Sequence, residues 1–275
     1  HHIAGDGGSI APLIADLAGA YEARKNGRAP QFEPLPVQYA DFALWQRAAL
    51  GDADNVESEL AAQERYWVTA LDGVPDVLPL PLDRRRPRVA SSAGDVVDFT
   101  IPADLVERAR DLATSRQSTL FMVAQAALVI VLRRLSGIDD ITIGAPIAGR
   151  TQSVTEPLVG MFVNTLVLRT TVDPQWDVDA LLGDIRATDV AAFAHADIPF
   201  EEIVDAVSPV RSEAFEPLAQ VYLTVEPDVA GDDGFDIAGM HVQPQPAHTH
   251  FAKVDLLFSL TPAGDGSMSG QIVYA

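Results

Sequence analysis

The sequence predicts an α/β protein in which a mixed sheet and helices form a two-layer sandwich. Stripes of apolar residues at helical spacing recur along the chain, and between them lie segments in which apolar and polar residues alternate. Interspersed helices and strands are typical of a sheet covered by helices. Apolar residues make up 48% of the 275 positions, which is enough for a sizeable core.

The first quarter of the chain predicts three helices. Residues 9–25 carry a helical stripe, with Ser9 placed as N-cap and Gly27 just beyond the end. Two further helices are expected over residues 38–48 and 57–70.

A proline-rich segment over residues 73–95 contains the arginine cluster at 84–88 and predicts an extended connector. We expect its arginines to be solvated or paired with nearby acids.

Beyond the connector, helical and strand patterns alternate. The apolar helix that starts near residue 120 is expected to be capped by Ser118 or Thr119 and to end at Gly137. The predicted strands and helices, in chain order, are a strand at 97–101, helices at 105–112 and 120–135, strands at 140–144 and 163–169, helices at 178–194 and 200–207, and strands at 221–225, 254–260 and 270–274.

Charge and composition exclude several partners. With 19 Lys+Arg against 39 Asp+Glu, the net charge is 19 − 39 = −20, which argues against nucleic acid and anionic membrane surfaces. The longest apolar run, residues 120–132, is too short to cross a bilayer. The absence of cysteine removes disulfides and thiol catalysis and fits a cytoplasmic location.

The opening segment, residues 1–9, combines two histidines, an aspartate, three glycines and a serine. An imidazole can transfer protons near neutral pH, glycines let the backbone approach a ligand, and free amides at a helix start can hold an oxyanion. This composition suits acyl chemistry, and we expect His2 on a loop that leaves a strand.

Other interpretations of this segment are open. A metal site on His1, His2 and Asp6 is disfavoured, because adjacent residues of a strand point to opposite faces. A nucleophilic triad of Ser9, His2 and Asp6 is disfavoured by the tight spacing. A purely structural role for the histidines remains.

Five ordered segments resemble the motifs of the condensation domains of nonribosomal peptide synthetases. They are HHxxxDG at residues 1–7, YxDxAxWQ at 39–46, IGxPxAGR with GxFVNT at 143–150 and 159–165, HQDxPFE at 195–201, and RDxSRNPLxQ at 211–220. Residues 252–274 resemble the closing strands of the family. The chain departs from the pattern at Gly8, where an aromatic residue is usual, at Ala196, and at residues 214–216.

The resemblance implies a fold like that of chloramphenicol acetyltransferase, with the chain forming the second subdomain plus the tail of the first. Residues 1–36 would end the N-terminal subdomain, residues 37–95 would form a helical segment and connector, and residues 96–275 would form the C-terminal subdomain. The earlier motifs of the family are absent, so most of the N-terminal subdomain is expected to be missing and the isolated fragment to be inactive.

The resemblance also implies peptide-bond formation between a donor thioester and the amine of an acceptor aminoacyl thioester. Donor and acceptor carrier domains would deliver both on phosphopantetheine arms, beside an adenylation domain, and the domain itself would bind no cofactor or metal. Related epimerisation or ester-forming domains, and a non-catalytic carrier-docking module, are the alternatives.

The resemblance assigns roles to six positions. His2 would act as a base or position the attacking amine, and Gly7 would offer its N–H to the oxyanion. His1 would support the loop, and Asp6 would form a structural ion pair with Arg150. Asn164 would help to line the substrate tunnel.

Other conspicuous residues are expected to be structural. Tyr39, Phe42 and Trp45 are expected in the core. His195 and Asp197 are expected to shape a helix start. The histidines at 241, 248 and 250 are expected in a loop.

Overall fold

The structure, a computed structural model, describes residues 1–226, 235–237, 239–242 and 250–275. The chain divides into two compact units. The first comprises His1–Gln63, Ile147–Asn164 and Asp232–Gln245, and the second comprises Glu64–Pro146, Thr165–Gly231 and Pro246–Ala275. The predicted division at residues 36 and 95 stays a prediction.

The first unit begins with two 3₁₀ turns, His2–Ala4 and Gly7–Ser9, followed by helix α1, Ile10–Lys25. Helix α2 is Tyr39–Leu50, and α3, Glu59–Ala70, starts in this unit and ends in the second. All three helices were predicted. His2 was expected on a loop leaving a strand, but it lies in a 3₁₀ turn. The turn forms because the amides of Ala4 and Gly5 donate hydrogen bonds to the carbonyls of His1 and His2.

Among its described residues, the second unit contains a six-stranded open sheet and four further helices, as the sequence predicts. The helices are α4 (Ala103–Ser115), α5 (Leu120–Ser136), α6 (Val178–Phe193) and α7 (Phe200–Val207). The strands are β1 (Asp95–Ile101), β2 (Asp140–Ile147), β3 (Asn164–Thr171), β4 (Val221–Val225), β7 (Leu256–Pro262) and β8 (Met268–Tyr274), with β5 (Phe235–Ile237) and β6 (Met240–Val242) forming a separate hairpin in the first unit.

The sheet is mixed. Its strand order is β1-β8-β7-β4-β2-β3. Strand β4 runs parallel to both β2 and β7, whereas β8 is antiparallel to β7 and β1. The parallel pairs need crossover connections. Helices α6 and α7 lie in the connection from β2 to β4, and the described part of the connection from β4 to β7 contains β5 and β6. The predicted α/β class with a mixed sheet is confirmed.

Helix α5 forms the centre of the core. Val129 and Leu132 on its buried face pack with Ile141 and Ile143 of β2 and with Ile185 of α6, all at most 1% exposed. Thr119 Oγ1 accepts a hydrogen bond from the Met122 amide at 3.2 Å, so Thr119 is the cap. Gly137 ends the helix with a φ of 73°, a conformation that favours glycine.

The connector has no helix or strand between Ala70 and Asp95, as predicted. Arg86 is anchored by two hydrogen bonds to Asp255, at 2.7 and 2.5 Å, which tie the connector to the start of β7. The hydrogen bond to Asp255 favours the protonated guanidinium and raises the pKa of Arg86 above its usual value. One arginine of the cluster is therefore a half-buried structural anchor.

The hairpin of β5 and β6 was not predicted. His241 was expected in a loop but lies in β6. The sequence did not reveal this strand, because three residues are too few to show an alternating pattern. His250 lies 3.4 Å from Asp95 at the surface, and residue 248 lies outside the described residues.

No single helix among residues 1–226, 235–237, 239–242 and 250–275 has the length and apolar character to span a bilayer. Only α4 and α5 together reach that length, and a bend of 105° separates them.

Candidate functional site

The two histidines lie in the first 3₁₀ turn. His1 Nδ1 accepts a hydrogen bond from the Ile3 amide at 3.2 Å, which stabilises this turn. The His2 side chain is exposed, and no described residue forms a hydrogen bond with its imidazole. The His2 ring is therefore exposed, whereas the His1 ring is hydrogen-bonded to the backbone of the turn.

Asp6 is the buried anchor of the segment, with its side chain 1% exposed. Its Oδ1 accepts from the Ser9 amide at 3.0 Å, from Ser9 Oγ at 2.8 Å and from Arg150 Nη2 at 2.9 Å. Its Oδ2 accepts from the Phe162 amide at 2.9 Å. Every neighbour is a donor, so the site is built for an ionised carboxylate, and none of these bonds involves His2.

Arg150 holds the other side of this network. Its Nη1 donates to the carbonyls of Thr155 and Leu158 at 2.5 and 3.0 Å, and its guanidinium carbon lies 4.1 Å from the centre of the Phe162 ring. With its side chain 9% exposed, Arg150 forms the buried ion pair with Asp6 that the resemblance implied.

The environment of Asp6 favours its charged form. Burial on its own would raise the pKa of the Asp6 carboxyl. The hydrogen bonds from Arg150, Phe162 and Ser9, together with the charge of Arg150, outweigh burial and lower that pKa below 3.8. The carboxylate is therefore ionised throughout the range in which acyl transfer would be assayed.

Ser9 has a different role from the predicted one. Its side chain makes no capping bond to α1, although its backbone is the N-cap residue. Its Oγ accepts from the Gly160 amide at 3.1 Å and from Arg150 Nη2 at 2.9 Å, and it is 2.8 Å from Asp6 Oδ1. Asp6 is the N-cap of the second 3₁₀ turn, and the Ser9 hydroxyl accepts a hydrogen bond from the Asp6 amide at 3.2 Å in the same capping box.

The segment over residues 39–46 packs on the same network. The Tyr39 hydroxyl donates to the Met161 carbonyl at 2.6 Å, and the rings of Tyr39 and Phe42 lie 5.1 and 4.7 Å from the Phe162 ring. Three of the motif segments thus converge on Phe162. The expected core burial is wrong for Tyr39 and Trp45, which are 36% and 49% exposed.

Gly160 allows this convergence, and we expect Gly160→Ala to destabilise the domain. A Cβ at Gly160 would lie 2.2 Å from Tyr39 Cδ2, so the Tyr39 ring and its bond to Met161 would have to move. Overpacking of this kind costs typically about 1–3 kcal/mol of unfolding free energy, measured by urea denaturation. Gly183→Ala in α6 is the matched control, because nothing lies within 4 Å of its Cβ position. Equal stability of the two variants would contradict the packing described.

Gly7, Gly8 and Asn164 complete the candidate residues. Gly7 is exposed, and its amide has no hydrogen-bond partner among the described residues. A Cβ at Gly8 would lie 2.7 Å from Arg150 Nε, so a glycine here accommodates Arg150. Asn164 is half-buried at the start of β3. The described residues contain no group of His, Asp and Glu side chains that could hold a metal ion.

His195 lies in the second unit, and its contacts are structural; they are made at the end of α6, whereas a role at a helix start was expected. Its ring stacks on Tyr66 with centroids 3.9 Å apart, and its Nδ1 is 2.8 Å from the Ala191 carbonyl. Its own carbonyl accepts from Trp67 Nε1 at 2.9 Å. His195 therefore joins the end of α6 to α3.

The sequence as a whole matches the condensation-domain family over residues 1–275. The chain belongs to the condensation-domain family. It is 46% identical over 276 residues to a probable non-canonical nonribosomal peptide synthetase, CymA, of Salinispora arenicola, covering all of this chain and 4% of that protein. It is 43% identical over 274 residues to an isonitrile lipopeptide synthase of Mycobacterium tuberculosis, covering 97% of this chain and 11% of that protein.

Solved structures agree with this condensation-domain assignment. The X-domain from teicoplanin biosynthesis is 28% identical and superposes with a TM-score of 0.93, covering all of this chain and 62% of that one. The first condensation domain of the calcium-dependent antibiotic synthetase, solved with a substrate analogue, has a TM-score of 0.75 at 20% identity and shows the same fold. The chain thus spans less than two thirds of each of these domains, and a small part of the curated relatives.

Proposed function

We propose that this chain forms most of a condensation domain that makes peptide bonds in nonribosomal peptide synthesis. The observation that carries the proposal is the division of labour within residues 1–9. Asp6 and Ser9 are buried, with only 5% and 3% of each residue exposed, and both are hydrogen-bonded to Arg150. The His2 side chain is exposed and has no hydrogen-bond partner among the described residues. A rigid anchor beside a free imidazole is the arrangement that a positioned proton-transfer group needs.

In this mechanism the acceptor amine attacks the carbonyl carbon of the donor thioester. A C–N bond forms and the C–S bond breaks, so the donor thiol leaves and the amine loses a proton. His2 either accepts that proton or holds the amine by a hydrogen bond. In this proposal the N–H of Gly7, which has no partner among the described residues, stabilises the oxyanion that forms on the carbonyl oxygen.

Carrier domains would deliver both thioesters on phosphopantetheine arms, and an adenylation domain would charge them. The domain itself would bind no cofactor. Support comes from two relatives, one named as a probable nonribosomal peptide synthetase and one as a dimodular nonribosomal peptide synthase.

The alternatives of the same fold are epimerisation, ester formation and docking without catalysis. Docking has one specific observation in its favour, since the X-domain of teicoplanin biosynthesis was solved in complex with OxyB. Two assays separate the alternatives. An acceptor carrier charged with an amino acid is compared with one charged with the matching α-hydroxy acid, and the donor is recovered for chiral analysis.

We expect an amide product with the amino acid acceptor and no inversion of the donor residue. Ester formation alone, or inversion alone, would replace condensation by the corresponding alternative. Binding of carriers without either product would favour docking.

Residues 1–275 alone are expected to self-associate, because the apolar side chains of α1 are exposed to solvent. We also expect residues 1–275 alone to lack activity. Helix α1 has no buried residue, and Ile10, Leu13 and Leu17 are 56%, 55% and 68% exposed. In this proposal the part of a condensation domain that this chain does not span covers this face. Size-exclusion chromatography should show association that Leu13→Glu with Leu17→Glu reduces. A soluble monomer with turnover comparable to that of the full domain would contradict this expectation.

A further inference from the structure

Helices α5 and α6 are joined in the core of the second unit by one pair of polar side chains. Gln125 of α5 and Asp189 of α6 are both 0% exposed, and Gln125 Nε2 donates to Asp189 Oδ1 at 3.1 Å. Their two other oxygen atoms, Gln125 Oε1 and Asp189 Oδ2, are buried and have no hydrogen-bond partner among the described residues. Such groups are costly in a protein interior.

A single proton would satisfy both of these oxygens. An ionised carboxylate and an amide carbonyl can only accept hydrogen bonds. When Asp189 is ionised, neither of the two oxygens can therefore donate a hydrogen bond to the other. A proton on Oδ2 makes that atom a donor, and Gln125 Oε1 is the acceptor on a planar group already bonded to the same carboxyl. We propose that Asp189 and Gln125 form a proton-dependent latch between α5 and α6, closed by two hydrogen bonds when Asp189 is protonated.

The charges around the pair support this assignment. No cation forms an ion pair with Asp189 among the described residues. From α3, Tyr66 faces it, and burial together with the charge of Asp189 raises the pKa of that phenol, so Tyr66 stays neutral. His195, which follows α6, stacks on the Tyr66 ring. Burial raises the pKa of Asp189 to about 6, and the bond from Gln125 offsets this only in part.

The direction of the pH dependence follows from this raised pKa. The folded state holds the proton more tightly than the unfolded chain, whose Asp has a pKa of 3.8. The latch therefore contributes its full stabilisation of the folded state below pH 3.8. This stabilisation is lost as the pH rises from 3.8 towards about 6, and it is absent above about pH 6. The folding equilibrium constant changes by about 10²-fold across this window, which is the ratio of the two proton affinities.

The test compares Asp189→Asn with the wild type and with Asp111→Asn, an exposed aspartate on α4, in the intact protein. Asparagine mimics the protonated acid, because its Oδ1 can accept from Gln125 Nε2 and its Nδ2 can donate to Gln125 Oε1. Hydrogen exchange of the α6 amides, corrected for the intrinsic pH dependence of exchange, is followed from pH 4 to pH 7.5.

We expect the protection of α6 to fall by up to about 10²-fold with rising pH in the wild type and in Asp111→Asn, and to stay flat in Asp189→Asn. A wild-type profile that is flat overturns the proposal, even if Asp189→Asn fails to fold. The same profile in Asp189→Asn and the wild type also overturns it.

Discussion

In the intact domain, His2→Ala should lower the rate of peptide-bond formation at least about tenfold and leave the fold unchanged. A positioned proton-transfer group contributes typically about 10²–10⁴-fold, and the exposed imidazole takes no part in the described packing. The measurement is single-turnover transfer between two charged carriers, with circular dichroism and urea unfolding recorded on the same samples.

His250→Ala is the control for this substitution, because it also removes an exposed imidazole, 80% accessible, in the second unit. We expect its turnover to equal that of the wild type. Wild-type turnover in His2→Ala would exclude His2 as a catalytic group.

Asp6→Asn should lower stability and activity together. Breaking a buried ion pair costs about 3–5 kcal/mol of unfolding free energy, and Asp6 and Arg150 are 1% and 9% exposed. The new Nδ2 would also face the Phe162 amide, a donor against a donor. Urea denaturation at pH 7 measures the loss, with Asp179→Asn, which breaks an exposed pair with Arg116, expected to change stability little.

The pH dependence gives this substitution a second readout. The pKa of Asp6 is lowered in the folded state, so its contribution to stability is present above the unfolded pKa near 3.8 and is lost as the pH falls through the folded value. The difference in unfolding free energy between the wild type and Asp6→Asn should therefore become smaller at acidic pH. Full stability of the variant with a selective loss of rate would contradict the anchoring role.

The helices and most strands could be predicted because their signals are local. The stripe and caps of α5, with Thr119 before it and Gly137 after it, are visible in the sequence within one helix length. The hairpin of β5 and β6 could not be predicted, since three residues are too few to show a period. The place of His2 in a 3₁₀ turn depends on bonds among neighbouring backbone groups that no side-chain pattern encodes.

Part of the candidate site was also within reach. The pairing of Asp6 with Arg150 followed from the resemblance, because both positions match motifs of one family. The role of Ser9 was missed, since a serine before a helix is ordinarily a cap and its bonds to Gly160 come from residues about 150 positions away. The exposure of Trp45 was missed for a related reason: composition predicts burial on average, whereas α2 presents this side chain outward.

Transfer between two carriers tests peptide-bond formation by this domain most directly. The intact domain is mixed with a donor carrier bearing a labelled aminoacyl thioester and an acceptor carrier bearing a second one, and both arms are analysed by mass spectrometry. If the domain forms peptide bonds, the labelled acyl group appears on the acceptor arm in amide linkage and the donor arm becomes a free thiol. An unchanged donor arm, with both carriers charged and the domain folded, would contradict the proposed function.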